Sequence, residues 1–267
     1  MTEYKKVLDA GFVGLIDHMG DDSAIVQAAR TSYGSGTKTS REDRGLIRYL
    51  MRNFHLTPFE MVEFKFHFKM PIFVARQMHR HRTASINEYS ARYSIMDNGS
   101  FLPDDGRICS QSAINKQSSG EILDDLTRQT AIKMIFDENA RSHRTYDDLI
   151  DMGVSREIAR TVLPVGEYTQ FYWKANLRNI FNFLKLRMDK EHAQPEIVVY
   201  ADAMAEFVKE KCPEAYSAFE DFVLNSTTFS NNEMNIIKKL ISINDIAELD
   251  TTGLSKSELT EFKKKWI

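Results

Sequence analysis

The segment "VEFKFHFKM" at 62–70 alternates with period two. Val62, Phe64, Phe66, Phe68 and Met70 face one way, and Glu63, Lys65, His67 and Lys69 the other. That pattern fixes a half-buried, antiparallel-type strand and requires something apolar over one face. Helical stretches supply the cover: "NLRNIFNFLKLRMDK" has a rich apolar face, and "PEIVVYADAMAEFVKEKC" starts at Pro195.

Around this strand the chain reads as a mixed α/β fold of the α+β type, with helices heavier toward the C-terminus. "KKVLD" and "GFVGLID" are two strands joined at Ala10-Gly11. "DDSAIVQAARTSY" is a helix capped by Asp22 or Ser23. "TSREDRGLIRYLMRNF" is an amphipathic helix with a Thr39/Glu42 capping box and an apolar stripe of Leu46, Ile47, Leu50, Met51 and Phe54. Pro71 suits the first turn of the helix "PIFVARQMH". Residues 95–120 read as a loop, and a long helix runs from about Ser119 to Met152. "SREIARTVLP" is a short helix capped by Ser155, and "YTQFYWKA" a strand. Strands and helices do not alternate regularly, so a doubly wound parallel sheet is not expected. The 267 residues divide into a domain at 1–224 and a helical appendage at 225–267.

Composition narrows the function. A net charge of -3 argues against wholesale nucleic-acid coating. The two cysteines, Cys109 and Cys212, are far apart and read as free thiols of a reducing cytoplasm. No run approaches the ~20 apolar residues of a bilayer span, and the first twenty residues lack a signal-peptide pattern, so a cytoplasmic protein is expected. The seven histidines show no metal-ligand spacing, so no metal is expected. "YGSGTKTS" has Thr37 where a phosphate loop needs glycine.

"RHRTASINEYSAR" at 80–92 is the candidate binding stretch. With Arg76 it gathers Arg80, Arg82 and Arg92 against one acid, Glu88, with Ser85, Asn87 and Ser90 as neutral donors. Guanidinium forks bind phosphate oxygens bidentately. A solvated loop with internal salt bridges remains the alternative. Arg156 and Arg160, four apart, share a helical face. Arg187 lies eleven residues past Asn176, roughly 20° off whole turns and so on its stripe, while Arg178 and Asn182 share another. "HLTPFE" at 55–60 reads as a capping box between Thr57 and Glu60.

Taken together, Arg80-His81-Arg82 followed by seven residues and Ser90 resembles the signature of the flavin-dependent thymidylate synthases. "AARTSY" at 28–33, "HLTPFE", "REIARTVLP", "ANLRNIFNFLKLR" and "HAQPEI" are similar to blocks of that family in the same order. The resemblance implies a twisted, mostly antiparallel sheet flanked by helices and a homotetramer with active sites between subunits. It implies conversion of dUMP to dTMP, with methylenetetrahydrofolate as carbon donor and NADPH as hydride source through FAD. By that resemblance Ser32, His55, Thr57, Glu60, Arg80, His81, Arg82, Glu88, Asn176, Arg178 and Asn182 lie at FAD. Gln77, Arg80, Glu88, Ser90, Ala91, Arg92 and, from a neighbouring subunit, Arg160 hold dUMP. Arg187 polarises the uracil and is the catalytic residue. His79, Met61 and one extra residue between Arg187 and His192 depart from the family pattern, and the tail after about 225 matches no block of it. An arginine-rich nucleotide- or RNA-binding protein without catalysis, and a flavin reductase that ignores dUMP and folate, are the competing readings.

Overall fold

A computed structural model describes residues 3–31, 40–95, 99–113, 116, 118–240 and 253–265. Two units divide it, Met1–Leu224 and Asn225–Ile267. In the first, five strands form one sheet in the order β1 (Glu3–Val7), β2 (Gly11–Met19), β3 (Glu63–Pro71), β7 (Tyr168–Asn176), β4 (Ser85–Glu88), with every neighbouring pair antiparallel. The sheet is therefore antiparallel throughout, as the resemblance implied.

The alternation of β3 is carried out to the residue. Phe64, Phe66, Phe68 and Met70 are fully buried, and the residues between them are half-buried. β7 continues the apolar face with Phe171, Trp173 and Ala175. Helices α6 (Leu177–Arg187) and α7 (Pro195–Lys211) supply the cover, with Phe183, Leu184, Met204 and Phe207 all buried. Gly11 is dictated by this packing: a Cβ there would sit 2.1 Å from the Tyr200 hydroxyl, which donates to the Lys69 carbonyl (2.7 Å).

Several local expectations change. α1 (Asp22–Thr31) is capped one residue early, by Asp21, which accepts the Ser23 N–H (2.8 Å). Asp22 instead accepts the N–H groups of Glu214 and Ala215 (2.8 and 2.9 Å), holding the start of α8 (Pro213–Phe219). α2 (Ser40–Arg52) ends before Phe54, which is 74% exposed with φ +57 and off the apolar stripe. Pro71 closes β3 and caps α3 (Ile72–Met78) from extended backbone, outside its first turn. Residues 95–120 are not simply a loop: β5 (Cys109–Gln111) pairs with β6 (Ser119–Ile122). The long helix α4 (Asp125–Asp151) starts six residues late, where Asp124 accepts the Thr127 N–H. It ends at Gly153, whose φ of +82 glycine alone adopts freely. The loop at 33–39, the Thr39 cap and Ser32 lie outside the described residues.

In the second unit, α9 (Asn231–Leu240) and α10 (Lys256–Lys264) occupy the two amphipathic stretches. Ser255 and Glu258 form a reciprocal capping box for α10. Among the described residues no helix is long and apolar enough to cross a membrane.

Candidate active site

Three groups of expected site residues assemble around β7 and α6. The first lies where β7 hands over to α6. Asn176, last residue of β7, caps α6 by accepting the Asn179 N–H (3.0 Å). It pairs with Glu63 across the sheet, and Leu177 N–H donates to the Val62 carbonyl (2.8 Å). This register sets the first turn of α6 beside the short 3-10 turn Thr57–Met61. Arg178 thus donates to Glu60. The capping box expected at Thr57 and Glu60 does not form: Leu56 is the cap residue, Thr57 is already in the turn, and Glu60 is taken by Arg178. His55, Thr57 and Asn182 are exposed. His55 is delivered by the closure of α2, its N–H donating to Leu50 O (2.9 Å), and its ring meets Tyr49 edge-on.

The second group joins the far end of α6 to the arginine stretch. α3 carries the chain from β3 to Arg80-His81-Arg82, and β4 returns along β7. His81 packs edge-on against Phe183 of α6 (4.9 Å between centroids). One turn on, Arg187 donates from Nε to His81 Nε2 (3.1 Å) and from Nη2 to the Gln77 carbonyl (3.5 Å). Burial, and then the Arg187 charge, push the His81 pKa down to about 4. The imidazole is therefore neutral at pH 7, with Nε2 the acceptor and the proton on Nδ1. Burial and then Arg80 lower the Arg187 pKa, yet a guanidinium stays charged at any working pH. The Gln77 side chain donates to Gln194, a residue of the "HAQ" block not assigned to the site from sequence. Arg80 and Arg82 are exposed.

The third group surrounds a cavity of about 210 Å3 lined by Glu88, Ala91, Arg160, Glu167 and Thr169, among others. Thr169 Oγ1 donates to Glu88 Oε1 (2.7 Å). The chain turns at Ser90, whose Oγ accepts the Arg92 N–H (3.3 Å) and whose carbonyl accepts the Tyr93 N–H (3.1 Å). Ala91 is buried, and Arg92 forms an exposed pair with Glu157 (3.3 Å), which is worth little. Arg156 and Arg160 sit one helical turn apart, the Arg160 N–H donating to the Arg156 carbonyl as α5 (Arg156–Ala159) runs into a 3-10 turn. Arg156 donates to the Tyr93 carbonyl, and Arg160 lines the cavity. Arg160 and Glu88 of the same chain thus meet at one cavity.

The donor set suits a flavin cofactor. Arg80, Arg82 and Asn182 are exposed donors, and Arg178 adds a guanidinium at the start of α6. Neither thiol is placed as a nucleophile: burial pushes Cys212 far up, and Cys109 donates to the Gly106 carbonyl (3.5 Å). Among the described residues no group of three or more His, Cys, Asp and Glu side chains could hold a metal.

Comparison with known proteins meets this geometry. Residues 14–214 match the family model described as thymidylate synthase complementing protein. The flavin-dependent thymidylate synthase of Wolbachia pipientis wMel is 50% identical over 261 residues, covering 98% of this chain and 91% of that protein. That of Ruegeria pomeroyi is 48% identical, covering 96% and 86%. Alignments of this extent run into the tail, which thus has counterparts in these relatives, contrary to the sequence expectation. A UMP/dUMP methylase, PolB of Streptomyces cacaoi, solved with 5-Br dUMP, is 33% identical with a TM-score of 0.75, over 84% of this chain and all of that one. With the family model, the relatives and the antiparallel fold in agreement, the chain belongs to the flavin-dependent thymidylate synthases.

Proposed function

We propose that this enzyme converts dUMP to dTMP with FAD as its flavin, methylenetetrahydrofolate as carbon donor and NADPH as electron source. It works as a cytoplasmic homotetramer whose active sites are shared between subunits. The observation that carries the reading is the bond from Arg187 Nε to neutral His81 Nε2, which ties the arginine stretch to the end of α6. Bound FAD supplies the hydride chemistry. The protein's part is orientation and charge. His81 fixes the plane of the Arg187 guanidinium, leaving donors for a pyrimidine carbonyl. A guanidinium there stabilises negative charge on the ring and favours ionisation at N3. No thiolate is needed, because charge stabilisation with hydride delivery replaces covalent activation at C6.

Glu60, Arg178, Asn176, Asn182, His55 and Thr57 hold the flavin at the start of α6, with Ser32, Arg80, His81 and Arg82. Ser90, Ala91, Arg92, Arg160 and Gln77 take the nucleotide, its phosphate going to the guanidiniums. Glu88 stands between the two ligands. Among the described residues no base bonds the Ser90 hydroxyl, which accepts the Arg92 N–H, so Ser90 binds and does not attack.

Tritium release from C5-labelled dUMP tests this, with NADPH and methylenetetrahydrofolate, on protein stripped of flavin and then resupplied with FAD. Release that depends on FAD and accompanies dTMP is expected. A folded, FAD-loaded protein that releases none would point to a binding protein; one that oxidised NADPH but left dUMP intact would be a reductase. Arg187→Ala should lower turnover by roughly a hundredfold or more while FAD stays bound.

A further inference from the structure

Glu167 lines the 210 Å3 cavity and is fully buried. Its Oε2 accepts the Ser100 hydroxyl (2.9 Å) and lies 2.9 Å from His143 Nε2. Its Oε1 is buried with no hydrogen-bond partner. Ser100 and His143 are not a nucleophilic relay. Both converge on one carboxylate oxygen, and Ser100 Oγ meets the same imidazole nitrogen (3.1 Å), whereas a relay needs the two ring nitrogens to serve separate partners. What they do is hold Oε2 in place, leaving Oε1 as the buried, unpaired acceptor of a clamped carboxylate. A buried carboxylate oxygen without a donor is costly, and such atoms call for a partner from outside the chain.

The chemistry of the cavity narrows that partner. A phosphate is repelled by two carboxylates and drawn to Arg92 and Arg160. dUMP has two neutral donors, N3–H and the 3′-hydroxyl. N3 belongs to the charge chemistry of Arg187, and Glu88 Oε1 is already engaged by Thr169. We propose that Glu167 is a sugar-recognition residue, its Oε1 accepting a hydrogen bond from the 3′-hydroxyl of dUMP. This rests on the reading of the cavity as part of the nucleotide site. A desolvated, clamped acceptor discriminates strongly, because a ligand lacking the hydroxyl leaves it unpaired.

The test is calorimetric titration of the FAD-loaded enzyme with dUMP and with 2′,3′-dideoxyuridine 5′-monophosphate. Wild type should prefer dUMP by roughly tenfold or more. In Glu167→Leu, which leaves neither acceptor nor donor there, the preference should shrink to within about threefold. Glu88→Gln, which does not depend on the other variant folding, should keep the preference. Wild type binding both ligands equally would overturn the proposal and leave Oε1 to a water. A preference that survived Glu167→Leu, or vanished in Glu88→Gln, would overturn it in favour of Glu88. Wild type that bound no dUMP would sink the nucleotide reading as well.

Discussion

Burial and the Arg187 charge hold the His81 imidazole near pKa 4, against 6.5 for an ordinary histidine. Between those values the unfolded chain holds a proton that the fold refuses, so falling pH in that window favours unfolding. His81→Gln keeps a hydrogen-bonding side chain and removes the titration. The stability of wild type relative to this variant should be constant above about pH 7 and decline from pH 6.5 to 4. Paired melting curves would show it, and a difference independent of pH would mean that His81 titrates normally. The same depressed value leaves His81 out of any activity profile between pH 6 and 9, since it stays neutral throughout. Cys109→Ser should keep full turnover in a dTMP assay; an inactive, folded variant would restore a thiol to the mechanism. The motif Arg80-His81-Arg82 and the arginine at 187 were legible in the sequence, because residue type and local spacing carried them. That His81 accepts from Arg187 was not, since 106 positions separate the partners. Glu167, Ser100 and His143 had no local signal at all: the first two meet in an isolated antiparallel bridge, and the third comes from a long helix.

The elements that read clearly were those whose periodicity and burial agree. β3 and α7 are the cases, one alternating and one started by proline on a largely buried helix. Errors arose where local rules had two solutions. Asp22 and Ser23 were the expected caps for α1, yet the structure uses Asp21 there and turns Asp22 to the start of α8. The β5–β6 hairpin is short, polar and exposed on β6, so no alternation announced it. Phe54 extends the apolar spacing of α2, yet the helix closes first. Phe54 N–H donates to Met51 O (3.2 Å) and His55 N–H to Leu50 O (2.9 Å), a closure that puts Phe54 in the left-handed region and His55 just beyond it. A bulky, exposed residue pays for that backbone, so Phe54→Gly should stabilise the protein by about 0.5–1 kcal/mol. Chemical denaturation would register it as a higher midpoint with unchanged slope. A lower midpoint would show that the phenyl ring is itself held by contacts.

At the scale of the molecule, the three groups of site residues occupy both ends of α6 and a cavity beside β7. Composition and pattern gave the α+β class, and the resemblance gave the antiparallel sheet. Neither gave the placement of Arg160 in the cavity of its own chain's Glu88. A tetramer should sediment near four times the 30.8 kDa of the chain. Dilution into monomers should abolish turnover, if subunits complete one another's sites. Activity that survived in a monomer would confine the whole site to one chain. Within each chain, α6 has a further consequence. Arg178 and Arg187 are nine residues apart on one uninterrupted helix, about 13 Å of axial rise. The helix is thus a gauge for the separation of the two arginines, and a gauge tolerates new side chains better than a change of length. One residue added between them would turn Arg187 by about 100°, away from His81, so a single-codon insertion there should be more damaging than many substitutions on its outer face.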